Sequence, residues 1–337
     1  MSNLTEKENY LRLLRGELPQ WIPIYAFGPN PDGSPTSQRK VFSAPLHQQM
    51  LTPRPAKDVW GVTYVSVTGG KIPEPNNFIL DDITKWHDVI KAPDISDYDW
   101  EMIAKKDLER WNVDRSQTAL TFVLHTGLFQ GLMSFMGFSE GLCALVEEEE
   151  ECQALFQYMS DFYMNYLSHI IDYIKPDILA ITDDIAAWST PFLSPELYRK
   201  LLKPLYAKHT QFALDRCIPV DMHCCGRCED FVDDWIDIGV TAWQPAQVSN
   251  DLLAIKRKYG RKFVICGGFD MTPDLVSANC TKEKVVEAVK KTVDNLAPGG
   301  GYCFYGNFLG ESDDAIIQQK NKWVMETIKE YGANYYG

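Results

Sequence analysis

The chain has 337 residues, with 33 Lys and Arg against 46 Asp and Glu, for a formal charge of −13. That balance argues against nucleic acid as a partner, because phosphate binding needs clustered cations. Hydrophobic residues at 45% and aromatics at 12% suffice for a large core. No apolar run approaches the ~18 residues of a membrane span.

The N-terminus is polar and lacks a signal-peptide core. Nine Cys is an odd count for a secreted disulfide framework. A reducing cytoplasm is expected, with no membrane partner.

In chain order, Thr5-x-x-Glu8 is a capping box opening an amphipathic helix through Tyr10, Leu11, Leu13 and Leu14. Residues 1–20 form this N-terminal extension. Trp21 to Phe27 reads as a first strand. A polar, Pro-rich entrance loop over 28–58 follows. From Trp60 strands and helices alternate. Strands are predicted at 60–67, 121–124, 177–182, 218–222, 240–243, 263–266 and 301–305. Helices are predicted at 83–89, 100–111, 147–174, 195–214, 229–238, 252–259, 281–296 and 313–331. The acidic start of the 147–174 helix suits the helix dipole.

This rhythm implies parallel βαβ units. Eight candidate strands, near 22, 62, 121, 178, 218, 240, 263 and 301, fit an α/β (β/α)8 TIM barrel with a helical extension and insertions. One domain spanning 1–337 is expected. The competitor is a doubly wound open sheet, and no Gly-x-Gly-x-x-Gly follows the first strand to support it.

The densest chemistry is Asp221-Met222-His223-Cys224-Cys225-Gly226-Arg227-Cys228. Side chains two apart on an extended segment share a face, so His223 and Cys225 can grip one metal ion, with zinc the natural choice for these donors. For the third ligand, strand-end logic favours Cys266, with Cys303, early in its strand, as the alternative. Cys225-x-x-Cys228 also has redox spacing, and a buried His beside structural thiols is the bland reading.

Barrel sites lie at the C-terminal ends of strands. The residues there are Tyr25, Phe27, His125, Asp183, Asp184, Gln244, Gln247 and Asn307. Asp184, His125 and Asp183 are candidate acids, bases or substrate anchors. For Asp183-Asp184 the alternative is a helix N-cap or a loop ion pair. Tyr25, Phe27, Trp188, Gln244 and Asn307 are candidate substrate contacts, with Phe129 and Phe135 as apolar walls or plain core.

These stretches carry a resemblance. Leu14-Arg15-Gly16-Glu17, Ile22-Pro23, Asp183-Asp184, Phe192-Leu193-Ser194-Pro195-Glu196-Leu197-Tyr198, Pro204, His223-x-Cys225-Gly226, Gly267-Gly268-Phe269-Asp270 and Pro298-Gly299-Gly300-Gly301-Tyr302 resemble the uroporphyrinogen decarboxylase superfamily. The chain is most similar to that superfamily's corrinoid-dependent methyltransferase branch, whose zinc-binding His-x-Cys is matched by His223 and Cys225.

The decarboxylase's Arg-Gln-Ala-Gly-Arg-Tyr stretch is absent. Neutral Ile24-Tyr25-Ala26-Phe27-Gly28 stands in its place. The coenzyme M branch has a Cys where this chain has Asn307.

The resemblance therefore implies a zinc-dependent methyltransferase of O-demethylase type. It would move a methyl group from a small-molecule donor, an aryl methyl ether, to the Co(I) corrinoid (cobalamin) of a partner protein. The alternatives are a methyl-corrinoid:thiol methyltransferase, a decarboxylase, and a non-enzymatic zinc- or corrinoid-binding module.

Overall fold

The computed structural model describes residues 4–26, 28–30, 32–47, 54–67, 70–125, 127–311 and 313–336. The expected capping box opens the helix Glu6–Leu14: the Thr5 side chain accepts from Glu8 N, and Glu8 accepts from Thr5 N. The apolar face of that helix, Tyr10, Leu13 and Leu14, is buried with Tyr25, Ala119, Ile178, Ala242, Val264, Cys266 and Cys303. The last six of these belong to strands of the main sheet, so the helix plugs the interior of the curled sheet.

In chain order the strands are β1 (Gln38–Val41), β2 (Ala56–Lys57), β3 (Thr63–Val67), β4 (Gly70–Pro73), β5 (Ala119–Leu124), β6 (Ile178–Thr182), β7 (Val220–His223), β8 (Val240–Ala246), β9 (Val264–Gly267) and β10 (Tyr302–Cys303). Seven of them form one parallel sheet in the order β1-β5-β6-β7-β8-β9-β10. Every residue of β5 and β6 is buried, as parallel strands covered on both faces require. A larger core of side chains such as Phe122, Phe156, Trp235 and Trp243 lies between the sheet and its helices.

Two strand expectations are corrected. The strand near 62 is not a barrel strand, because β3 pairs antiparallel with β2 and β4 in a separate three-stranded sheet. The barrel strand in that region is β1, inside the expected entrance loop. Its sequence, Gln-Arg-Lys-Val, carries no apolar run, so hydrophobic patterning does not mark it.

The first expected strand shrinks to one parallel bridge, Ile24 to Phe304. There Tyr25 N donates to Phe304 O at 2.8 Å, and Phe304 N donates to Pro23 O at 2.9 Å. On the other side, contact with β1 is through side chains: Ile24 N donates to Ser37 Oγ at 3.2 Å, and Gln38 Nε2 to Ala26 O at 2.7 Å. Pro23 has no N–H to extend a ladder. The barrel is thus a curled seven-stranded sheet with a seam spanned by residues 22–26, rather than eight continuous strands.

The helices follow expectation with refinements. The 195–214 helix is two, Pro195–Leu201 and Lys203–Leu214, with Pro204 in the first turn of the second. The long helix runs Glu149–Tyr173 with Glu149, Glu150 and Glu151 in its first turn. Two unexpected helices, Leu128–Met136 and Phe138–Glu147, precede it. Among the described residues no single helix is long and apolar enough to cross a membrane.

Candidate metal centre

The register of β6 against β7 builds the site. Thr182 is the Cα partner of His223, so Asp184, two residues on, arrives beside Cys225. Ligand atoms of Asp184, His223 and Cys225 lie within 4.8 Å of one another, all three residues half-buried. His223 Nε2 is 3.9 Å from Asp184 Oδ1. Cys225 N donates to Asp184 Oδ1 at 2.7 Å, and Gln130 Nε2 to Asp184 Oδ2 at 3.3 Å. These two bonds aim the carboxylate.

His223 Nδ1 lies 2.9 Å from Gln244 Oε1. A carbonyl oxygen only accepts, so Nδ1 carries the hydrogen and Nε2 keeps its lone pair. Burial, then the Lys40 charge, lowers the His223 pKa, which favours the neutral ligand form. Burial, then Asp184, pushes the Cys225 thiol up to about 12; a bound cation reverses that balance by stabilising the thiolate.

One nitrogen, one sulfur and one oxygen suit zinc, and three protein ligands leave a fourth position open, as at catalytic sites. Bonds of about 2.0–2.3 Å space tetrahedral donors by roughly 3.4 Å. Small side-chain adjustments from the present spacing meet that requirement.

The loop after β7 is held tightly. Gly226 has φ +93°, and a Cβ there would stand 2.5 Å from Ala186 O and 2.6 Å from Ala187 O. Gly226 N donates to Gln247 Oε1 at 2.6 Å. Asn250 Oδ1 accepts from Cys228 N and Glu229 N, and Asn250 Nδ2 donates to Gly226 O. Cys225 is thereby presented by a braced turn.

Cys266, expected as third ligand, is not brought to this group. It is fully buried, faces Cys303 and Tyr10, and is the Cα partner of Cys303. Both thiols sit over the helical plug, which is why neither reaches the rim.

Asp183 is a cap. It accepts from Phe129 N and Gln130 N at 2.9 Å each and from the Tyr206 hydroxyl, at the start of the helix Leu128–Met136. Burial pushes its pKa up to about 7.

His125 stands beside the centre, with Nδ1 3.5 Å from Thr182 Oγ1 and its ring 5.0 Å from that of His47. Burial, then His47 and His223, drives its pKa well down, leaving a neutral imidazole.

Gln244 is fully buried behind His223. Tyr25 is buried too, donating to Asp221 Oδ2 at 2.7 Å. Trp188 is 60% exposed on the loop after β6, and Asn307 is half-buried after β10. Phe129 and Phe135 are core, each 1% exposed. Phe27 lies outside the described residues.

Sequence reasoning missed Lys40, Asp221 as an interior group, and His47. Lys40 Nζ donates to Gln244 Oε1 at 3.2 Å and lies 5.3 Å from the Tyr25 ring centroid. Burial lowers the Lys40 pKa to about 8, opposed by Asp221, and raises that of Asp221 to about 7, opposed by Lys40. Asp221 is two residues before His223, so strand alternation signalled its inward face; no sequence signal marked Lys40.

A curled parallel sheet with reactive side chains gathered beyond its strand ends is the layout of barrel enzymes. The chain belongs to the uroporphyrinogen decarboxylase (URO-D) family, whose sequence model matches residues 63–305. Among solved structures it shares its fold with a methyltransferase from Methanosarcina mazei, at 13% identity and TM-score 0.66, covering 98% of this chain and 99% of that one. Dispersin B (10% identity, TM-score 0.35, covering 68% of this chain and 76% of that one) is far weaker. So is a uronate isomerase from Bacillus halodurans C-125 (16% identity, TM-score 0.24, 65% and 45%). No curated protein matches the chain by sequence.

Proposed function

We propose that the chain is a zinc-dependent methyltransferase that moves a methyl group from an aryl methyl ether to the Co(I) corrinoid of a partner protein in the cytoplasm. The observation that carries this reading is the Asp184–His223–Cys225 triad, with the His223 Nε2 lone pair available beyond the strand ends. The Methanosarcina mazei methyltransferase sharing the fold supports the transfer class. Asp184 takes the place in the ligand set that sequence reasoning gave to Cys266.

The chemical obstacle is the leaving oxygen. The methyl C–O bond breaks with its electron pair left on oxygen, a proton goes to that oxygen, and the Co(I) electron pair takes the carbon. Zinc, when bound, supplies a Lewis acid for the ether oxygen.

The chain's own residues do the rest. Gln130 and the Cys225 N–H fix Asp184, and Gln244 fixes His223. His125, a neutral imidazole, offers a ring N–H to a substrate oxygen as a hydrogen-bond donor. Asp183 is committed to its helix.

The test is metal analysis with an anaerobic transfer assay. Zinc-loaded wild type is expected to retain about one zinc per chain and to methylate Co(I) cobalamin from a methoxylated benzoate. His223→Ala and Cys225→Ser lose both while keeping their circular dichroism. Wild type that holds no zinc after loading sinks the reading. Proton release and methyl transfer from methylcobalamin to coenzyme M, with aryl ethers inert, would assign the reverse role.

A further inference from the structure

We infer that Lys40 and Gln244 form a tautomer lock on His223: Lys40 fixes which end of the Gln244 amide faces the imidazole, and so keeps Nε2 free for metal. The inference rests on the metal reading above and adds two positioning residues to it.

Gln244 is the Cα partner of His223 on the neighbouring strand, and it is fully buried. Its Oε1 receives two donors, His223 Nδ1 at 2.9 Å and Lys40 Nζ at 3.2 Å, the second from β1, 204 residues away in sequence. Its Nε2 is attracted toward Asp221 but completes no hydrogen bond among the described residues. The two hydrogen bonds that orient this amide are thus both on its Oε1 side, with Asp221 facing the Nε2 end.

An ammonium only donates, and so does an amide NH2. Turning the amide over would set Nε2 against Lys40, donor against donor. It would also present an N–H to His223 Nδ1, forcing the ring hydrogen onto Nε2 and blocking metal there. Without Lys40, the interaction of Nε2 with Asp221 is what remains among the described residues to oppose that turn. Outer partners of a ligating His typically change metal affinity by about 10–100-fold.

The lock has a sign that simple electrostatics lacks. Lys40 is a cation near a cation site, so removing its charge alone should tighten zinc binding. The lock predicts the opposite for Lys40→Met. A carboxylate at position 244 has acceptor oxygens at both ends and no wrong face, so the lock also predicts that the effect of Lys40→Met depends on residue 244.

The experiment is a double-mutant cycle on the full chain. Zinc affinity is measured by chelator competition for wild type, Lys40→Met, Gln244→Glu and the double variant, with imidazole 15N spectra of the metal-free forms. With Gln244 in place, Lys40→Met is expected to weaken zinc binding roughly 10-fold or more and to mix the His223 tautomers. On top of Gln244→Glu, the same substitution leaves affinity unchanged or tighter.

Wild type that binds zinc, with Lys40→Met binding as tightly or more tightly, overturns the lock and leaves the metal site standing. Wild type that binds no zinc overturns the metal reading, and the 15N spectra still decide the lock. A single Nδ1–H tautomer in both wild type and Lys40→Met refutes it. Lys40→Met that weakens zinc equally in both backgrounds, in protein that keeps its circular dichroism, also refutes it.

Discussion

Asp184 is where a residue's identity and its neighbourhood tell different stories. In sequence it is one of two adjacent carboxylates after a strand, suited to acid–base work. In the structure the β6–β7 register sets it against Cys225, the same 41-residue offset that pairs Thr182 with His223. Sequence alone shows neither the register nor the offset, so the His-x-Cys pair was legible and its carboxylate partner was not. The same lack of depth information made Cys266 look like a rim residue, whereas it faces Cys303 and Tyr10 in the interior. Asp184→Asn keeps an oxygen for the Cys225 N–H and loses the anion. It is expected to reduce zinc affinity by more than the roughly 10–100-fold of an outer partner, while Cys266→Ser keeps zinc at the wild-type level. Chelator competition checks both, and equal affinity in Asp184→Asn and wild type would remove Asp184 from the ligand set.

At the scale of elements, legibility followed apolar periodicity. Strands β5 and β6 read clearly because each is a short apolar run buried throughout, and the helix Leu252–Tyr259 because Leu252 and Ile255 bury one face. Strand β1 did not, because Gln38 and Lys40 direct polar groups at the seam and the centre. A similar polar tie joins two helices near the C-terminus. Lys320, 1% exposed on the helix Ala315–Gly332, donates to Leu275 O, Val276 O and Ser277 O at 2.7–2.8 Å. Those carbonyls end the short helix Pro273–Val276, where a cation also suits the dipole. Lys320→Met removes the buried cation from Leu275 O and Val276 O, leaves Ser277 O only its bond from Cys280 N at 3.0 Å, and should cost about 3 kcal/mol. Urea unfolding measures it, and a change within about 0.5 kcal/mol, as for a surface site, would show the tie to be idle.

Across the whole molecule, buried ionisable groups oppose one another in their pH dependence. Burial lowers the pKa of His47 and of His209 to about 4. The folded state then refuses protons that the unfolded chain accepts below about 6.5, so this stability is complete above 6.5 and lost as pH falls towards 4. Burial raises Asp58 to about 6 and Asp183 to about 7. There the folded state keeps a proton that the unfolded chain releases, so stability present below about 4 is lost as pH rises through 6–7. The two sets cover the same window with opposite slopes, and the wild-type profile should be flatter than either alone. His209 isolates one slope: it is fully buried, bonds Ser160 Oγ through Nε2 at 2.9 Å, and stands apart from the metal ligands. His209→Gln can keep that bond and has no proton to refuse. The stability advantage of wild type over this variant should therefore shrink by roughly 2–3 kcal/mol between pH 7 and pH 4.5. Urea unfolding of both proteins at the two pH values reads the difference directly, and a gap that does not change with pH would mean that His209 does not titrate between them.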